Sequence, residues 1–413
     1  VGNLSVGCWV LISELDELPG IKTYNEVVVF RVVVGHSDDP DSQNAIAEVI
    51  QECSRSLADS LPQAGILFTA IDFDHVLILQ RIQDAFPGIE LIGGTTNGEI
   101  SSILEFQQDS LTLMLFASDE VEIHSGIGRG ASKNPALAAQ EAIAQAKAKS
   151  ASVPQLCLTF PDSLTSNGVL ILEALKQSLG EHIPIIGGMT ADDYTFDKTY
   201  QFFQGEVLSD SIPVLLFSGK LLFSHGVACG WTPISQRSRV TKVDGNVVYE
   251  IDGQRALDFY QHYLGEERFA SNYAIYALAV FEDQNHFYLR APNGYDQQSG
   301  SVKFFLDIPE QAVVQITDAT RDNILLASET SLKNALADYP GLEPTAALLI
   351  SCAARRRILG TLTREEYQLV KTHLPYALPC CGFYAYGEIA PIASGGQTQV
   401  HNKTFVTLLI GTK

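Results

Sequence analysis

Three short segments of the chain each combine glycines, hydroxyls and a carboxylate. The first runs Leu91-Ile92-Gly93-Gly94-Thr95-Thr96-Asn97-Gly98-Glu99-Ile100, and the second Pro184-Ile185-Ile186-Gly187-Gly188-Met189-Thr190-Ala191-Asp192-Asp193. The third is Cys381-Gly382-Phe383-Tyr384-Ala385-Tyr386-Gly387-Glu388-Ile389. Glycines let a backbone approach a ligand closely and expose N–H groups, which favour carboxylates. Glu99, Asp193 and Glu388 favour an ammonium group. A pocket holding both kinds of group suits a small zwitterion such as an amino acid. The competing reading is intramolecular, with each carboxylate capping a neighbouring loop or pairing across the repeat.

The densest polar cluster lies near the C-terminus: Tyr384, Tyr386 and Glu388, then His401-Asn402-Lys403-Thr404 beyond a loop containing Ser394, Gly395 and Gly396. Hairpin-like spacing places Glu388 near His401, a pair suited to acid–base work or to a plain buried hydrogen bond. The histidines have neither HxxxH nor HExxH spacing, so a zinc hydrolase has little support. His225, at the end of an apolar run beside Gly226, has the setting of an axial haem ligand or of a satisfied core histidine. Cys380-Cys381 follows Pro379 at a strand start without a catalytic signature and reads as core. The chain contains no Walker A, GxSxG or kinase motif.

Elements must position these groups. Continuous apolar runs (Val27 to Val34, Gly65 to Thr69, Ser110 to Ala117) read as buried strands, and Ala45 to Leu57 and Val76 to Phe86 have helical spacing. The order strand–helix–strand–helix–strand–loop–strand returns over Val121 to Phe217, with helices Pro135 to Lys149 and Gly168 to Leu179. It returns again over Val313 to Ile410, where Thr363 opens a helix as a capping box. A weaker copy spans Leu221 to Ile308. Gly98, Asp192, Gly294 and Gly387 occupy corresponding places, 94, 102 and 93 residues apart. The expectation is a mixed α/β fold of four quasi-repeated β-α-β-α-β units, forming two packed halves with mixed sheets flanked by helices. The halves are residues 24–219 and 220–411.

A formal charge of -21 over 413 residues argues against nucleic acid and anionic membranes, because phosphate binding needs clustered Lys and Arg. Arg355-Arg356-Arg357, the only basic run, reads as a solvated helix start. No apolar stretch approaches the roughly 18 residues of a membrane span. Glu14, Asp16 and Glu17 interrupt any signal-peptide layout, although the chain begins at Val1 without an initiator Met. Seven scattered cysteines fit a reducing cytoplasm.

These motifs carry a resemblance. Ile92 to Ile100 resembles the signature loop of the FIST N domain. Phe383 to Pro391, with His401-Asn402-Lys403-Thr404, resembles the end of the FIST C domain, and Ser351-Cys352-Ala353-Ala354-Arg355 is similar to that domain's Ser-Cys-x-x-Arg segment. Gly94 stands where many relatives carry Cys, which removes any thiol role there. The resemblance implies a cytoplasmic sensory module of bacterial signal transduction that binds a small ligand. With no output domain following, it would signal to a histidine kinase, cyclic-dinucleotide enzyme or chemotaxis component in trans; a homo-oligomer is compatible with it.

The expected ligand-binding residues are Gly93, Gly94, Thr95, Thr96, Asn97, Glu99, Gly187, Gly188, Asp193, Tyr384, Tyr386, Glu388, His401 and Asn402. No catalytic residue, metal or cofactor is expected. One alternative is a haem-based nitric-oxide sensor of the NosP type, with His225 or His401 as ligand. Another is a hydrolase or transferase using His401 with Glu388 or Cys381.

Overall fold

The computed structural model describes residues 30–374 and 376–412. The fold is mixed α/β, with three six-stranded sheets and one nine-stranded antiparallel sheet. Val27 to Val29, residue 24 and Cys8 lie outside the described residues.

The three six-stranded sheets share one strand order. In the first, Arg31–Ser37 pairs with Leu111–Ala117, then Ala64–Thr69, then Glu90–Thr95. The second repeats this with Val121–Arg129, Ser211–Gly219, Leu156–Thr159 and Ile185–Gly188. The third does so with Leu222–Ala228, Phe405–Gly411, Ala346–Cys352 and Cys380–Ala385. In each, the two central strands are parallel and the outer pairings antiparallel.

Each sheet is completed by a hairpin from another unit. Gln201–Phe203 and Glu206–Leu208 of the second unit extend the first sheet. Glu388–Pro391 and Thr398–His401 of the third extend the second sheet. Glu99–Ser101 and Glu105–Gln107 of the first extend the third sheet. The exchange is cyclic, so the chain segment and the sheet it completes are not the same unit.

The fourth expected unit is not formed. Residues 221–308 divide between the third sheet and the antiparallel sheet, in which Gly294 sits in the strand Pro292–Asp296. Val313–Asp318, expected to open the last unit, also belongs to the antiparallel sheet; Leu222–Ala228 takes that place instead. The antiparallel sheet and its helices interrupt the third unit after its first strand, which hides the true partner from any reading that assumes sequence neighbours are spatial neighbours.

Alternating side chains explain the layers. Inward residues of all three sheets, including Ile66, Met114, Leu158, Phe217, Leu348 and Val406, form one shared core. At its centre Phe68 lies 4.2 Å from Phe383 and 4.9 Å from Phe160, ring centre to ring centre. Outward residues pack under helices, such as Ser42–Leu57 and His75–Ala85 on the first sheet. Asp41 and Asp74 cap those two helices, accepting from Gln43 and Asn44, and from Leu77. Thr363 makes no such cap: its helix continues from a 3-10 turn, and its hydroxyl bonds the Gly360 carbonyl.

Candidate functional site

Strand registers align the three glycine loops. Gly93, Gly187 and Gly382 each sit opposite the parallel neighbour, at Leu67, Thr159 and Leu349. A Cβ at any of the three would overlap that neighbour's carbonyl oxygen. Gly94 and Gly188 are also confined, by Tyr200 and by Phe383 and Ala385. These glycines therefore allow close strand packing rather than exposing N–H groups to a ligand.

A polar corner follows each glycine. Glu99, Gln201 and Glu388 open the three exchanged hairpins, opposite Phe383, Gly94 and Gly188. Each accepts a hydroxyl from the residue at the start of its unit's last strand or just before it: Ser110 to Glu99 at 2.5 Å, Ser211 to Gln201 at 3.0 Å, Thr404 to Glu388 at 2.8 Å. Thr96 bonds Glu99, and at the equivalent place Gln201 donates to Thr190. Burial raises the Glu99 and Glu388 carboxyls to about 8 each against their hydrogen bonds, so both are chiefly protonated at neutral pH. Fully buried and neutral, they offer no charge to an ammonium group.

The C-terminal cluster is likewise dispersed by the pleat. Tyr384 points under the helices and bonds Glu366 at 2.5 Å, within a buried set where Arg355 also pairs with Glu366 at 2.6 Å. Arg355 is thus no solvated helix residue. Glu388 and His401 face each other in register, yet the His401 imidazole bonds the Ala390 carbonyl at 2.8 Å and burial lowers its pKa to about 4. His225 Nε2 holds the Pro391 carbonyl at 3.1 Å, so neither histidine has Nε2 free for iron in this arrangement. Asn402 accepts from the Ala291 amide, and the Cys381 thiol is buried in the shared core, where burial raises its pKa.

What converges is the set of loops beyond the corners. Backbone bonds tie them together: Ala191 N to Thr95 O, Asn97 N to Tyr384 O, Met189 N to Gly387 O, and Tyr386 N to Met189 O. The Thr95 hydroxyl accepts from Tyr200 N. Above this frame, the Tyr386 hydroxyl donates to Asp192 at 2.5 Å and accepts from Tyr194 N. Asn97 Oδ1 accepts from Asp193 N at 2.6 Å. Asp192 also gathers Thr195 and the amides of Phe196, Asp197 and Lys198. Burial works to raise its pKa, but the bond from Tyr386 and these others outweigh it and hold it low.

Arg356, on the short helix Ala353–Leu359, closes the cluster. Its Nη1 donates to Asn97 O at 2.6 Å and to Asp193 Oδ1 at 2.9 Å. Its guanidinium lies 5.5 Å from the Tyr194 ring and 5.6 Å from Phe106. The Tyr194 hydroxyl reaches back to Ala353 O on that helix. Asp193, Tyr194 and Phe196 all have left-handed backbone (φ 51°, 65° and 52°), a costly conformation for bulky side chains and one concentrated at functional loops. Phe196 is 47% exposed despite its stack on Tyr386, so burial does not account for the strain.

Of the expected residues, Asn97, Asp193 and Tyr386 meet here. Gly93, Gly94, Thr95, Thr96, Glu99, Gly187, Gly188, Tyr384, Glu388, His401 and Asn402 are buried, as Asn97 is, but take no part in the bonds that join Asp193, Tyr386 and Arg356. Arg356 and Tyr194 complete the cluster without having been expected there, and Asp192, expected only as a corresponding position of the repeat, joins them. Tyr194 next to the second carboxylate motif was an available signal; nothing local separates Arg356 from Arg355.

The family models give the matching classification. The chain belongs to the FIST family: the FIST N domain matches residues 63–254 and the FIST C domain residues 256–391. These domains are associated with sensory signal transduction. An uncharacterised protein of Methanocaldococcus jannaschii is 30% identical over 53% of this chain, which spans 47% of that relative. An uncharacterised protein of Mycobacterium tuberculosis is 24% identical, covering 91% of this chain and 98% of its own length. A crystal structure of cyanuric acid hydrolase from A. caulinodans aligns with TM-score 0.38 at 10% identity, over 93% of this chain and 99% of that one; so distant a likeness says nothing about chemistry here. No helix among the described residues is long and apolar enough to cross a membrane.

Proposed function

We propose that this protein is a sensory module that binds a small polar, amino-acid-like molecule where the three loops meet and passes the resulting change to a separate output partner. The observation that carries this reading is the joining of loops from all three units by Asn97, Asp192, Asp193, Tyr386 and Arg356 around a strained segment. A ligand acts as a signal only if it binds two conformations unequally. Left-handed residues cost roughly 1–3 kcal/mol each, so the segment 193–196, held in place by side-chain bonds, is where this reading puts the change between conformations. The surroundings suit a zwitterion: one guanidinium faces Asp193, and burial with the neighbouring Asp72 and Asp193 charges raises the pKa of Asp109. Output through a histidine kinase, a cyclic-dinucleotide enzyme or a chemotaxis component in trans belongs to the same proposal. Titration calorimetry with the twenty L-amino acids tests it. Heat from at least one is expected, and silence from all of them with folded protein counts against the reading.

A further inference from the structure

We propose that Asp193 is a built-in occupant of a carboxylate site on Arg356, and that a ligand's carboxylate displaces it. The inference rests on the sensory reading above and assigns its recognition chemistry.

The Arg356 side chain is 12% exposed while Asp193 is 39% exposed, so the guanidinium is fixed and its carboxylate partner lies on the solvent side. Arg356 is anchored from behind by the Asn97 carbonyl and flanked by the Phe106 and Tyr194 rings. The pair is single-pronged: only Nη1 engages only Oδ1, whereas a guanidinium presents five N–H donors in a fork that matches both oxygens of a free carboxylate. Asp193 Oδ2 keeps only a long contact to Gln108, at 3.3 Å. Asp193 thus makes an incomplete version of the bond that an unconstrained carboxylate completes.

Its replacement has a structural consequence. Asp193 holds this contact from a left-handed backbone, and Tyr194 and Phe196 share the strain. Once a ligand takes over Arg356, the segment 193–196 loses one of the bonds that keep it strained. The same surroundings set the charge of the ligand. Asp109 lies close enough to feel Asp193 and Arg356, Asp72 acts on Asp109, and Arg357 stands 6.0 Å from the Tyr194 ring beside Arg356, so charges of both signs surround the site. A carboxylate whose own amine meets these acidic groups is admitted.

The test uses the full-length chain with Asp193→Asn, Arg356→Gln and Arg356→Lys, each checked for folding by circular dichroism. Asparagine tolerates left-handed backbone, so the first change removes charge while keeping geometry. Calorimetry is run with the L-amino acids and with their carboxamides. At least tenfold tighter binding to Asp193→Asn, at least tenfold loss in Arg356→Gln with partial rescue by Arg356→Lys, and no binding of the carboxamides are expected. Equal binding of acid and amide, or unchanged affinity in Asp193→Asn, overturns the Arg356 assignment while leaving the sensory reading in place. Silence of every variant with every compound overturns both. Without ligand, amides 194–198 of Asp193→Asn are expected to exchange hydrogen at least ten times faster than in the parent; equal rates overturn the claim that this contact restrains the segment.

Discussion

The corner at each strand end and the loop beyond it are neighbours in sequence and opposites in design. The corners are built alike: a glycine against a carbonyl, then Glu99, Gln201 or Glu388 held by Ser110, Ser211 or Thr404. The loops differ. The first offers Asn97, the third Tyr386, and the second is longer, from Met189 to Tyr200, with three strained residues and a partly exposed Phe196. What is repeated serves packing and neutral hydrogen bonding. What departs from the repeat brings together Asp192, Asp193 and Arg356 with three left-handed residues.

The largest effect expected from breaking a corner is steric. Gly187→Ala places a methyl on the Thr159 carbonyl oxygen, which cannot rotate away. Urea unfolding is expected to show destabilisation at or above the top of the roughly 1–3 kcal/mol usual for overpacking. A change below 0.5 kcal/mol would falsify the close-approach explanation.

The carboxyl corners predict a pH dependence. Glu99 and Glu388 have folded pKa values of about 8 against 4.5 for an unperturbed side chain. Proton binding therefore favours the folded state: this contribution is full below the unfolded pKa and is lost as pH rises from 4.5 through about 8. Between those values each carboxyl removes about 1.4 kcal/mol of stability per pH unit. Glu99→Gln and Glu388→Gln should flatten the slope measured by unfolding across this range, because Gln201 already occupies the equivalent corner with its amide toward Thr190. Variants with the parent's slope would show that these carboxyls are ionised in the folded protein.

A smaller loss is expected at the loop. Tyr386→Phe removes the donor to Asp192 and the acceptor for Tyr194 N. A bond to a charged acceptor contributes about 1.5–3 kcal/mol when buried, and partial exposure places this one at the lower end. The distinguishing readout is local: proteolysis within 193–198 should accelerate while the core unfolds nearly as before. Uniform weakening of the whole domain would erase the distinction between corner and loop.

Much of the fold was legible because its signals are local. Apolar runs mark strands, helical spacing marks Ala45 to Leu57 and Val76 to Phe86, and the glycine loops stand out by composition. The hairpin exchange had no such signal, since Glu388 pairs with Gly188 across 200 residues of chain. The insertion after Leu222–Ala228 mimics a further repeat because its Gly294 falls at a plausible spacing while sitting in an antiparallel hairpin. The site was only partly legible for a related reason. Composition exposes carboxylates and glycines, but the pleat decides which of them reach a loop. Arg355 and Arg356 are adjacent, yet one is buried against Glu366 and the other faces Asp193.

The most direct measurement is residue-resolved hydrogen exchange of the full chain, free and saturated with the amino acid that calorimetry selects. Exchange is predicted to change at Asp193 to Lys198 and along Ala353 to Leu359, while the amides at Gly93, Ser110, Gly187, Ser211, Gly382 and Thr404 stay as they were. Changes centred on those corners, with the 193–198 segment unaffected, would contradict the account.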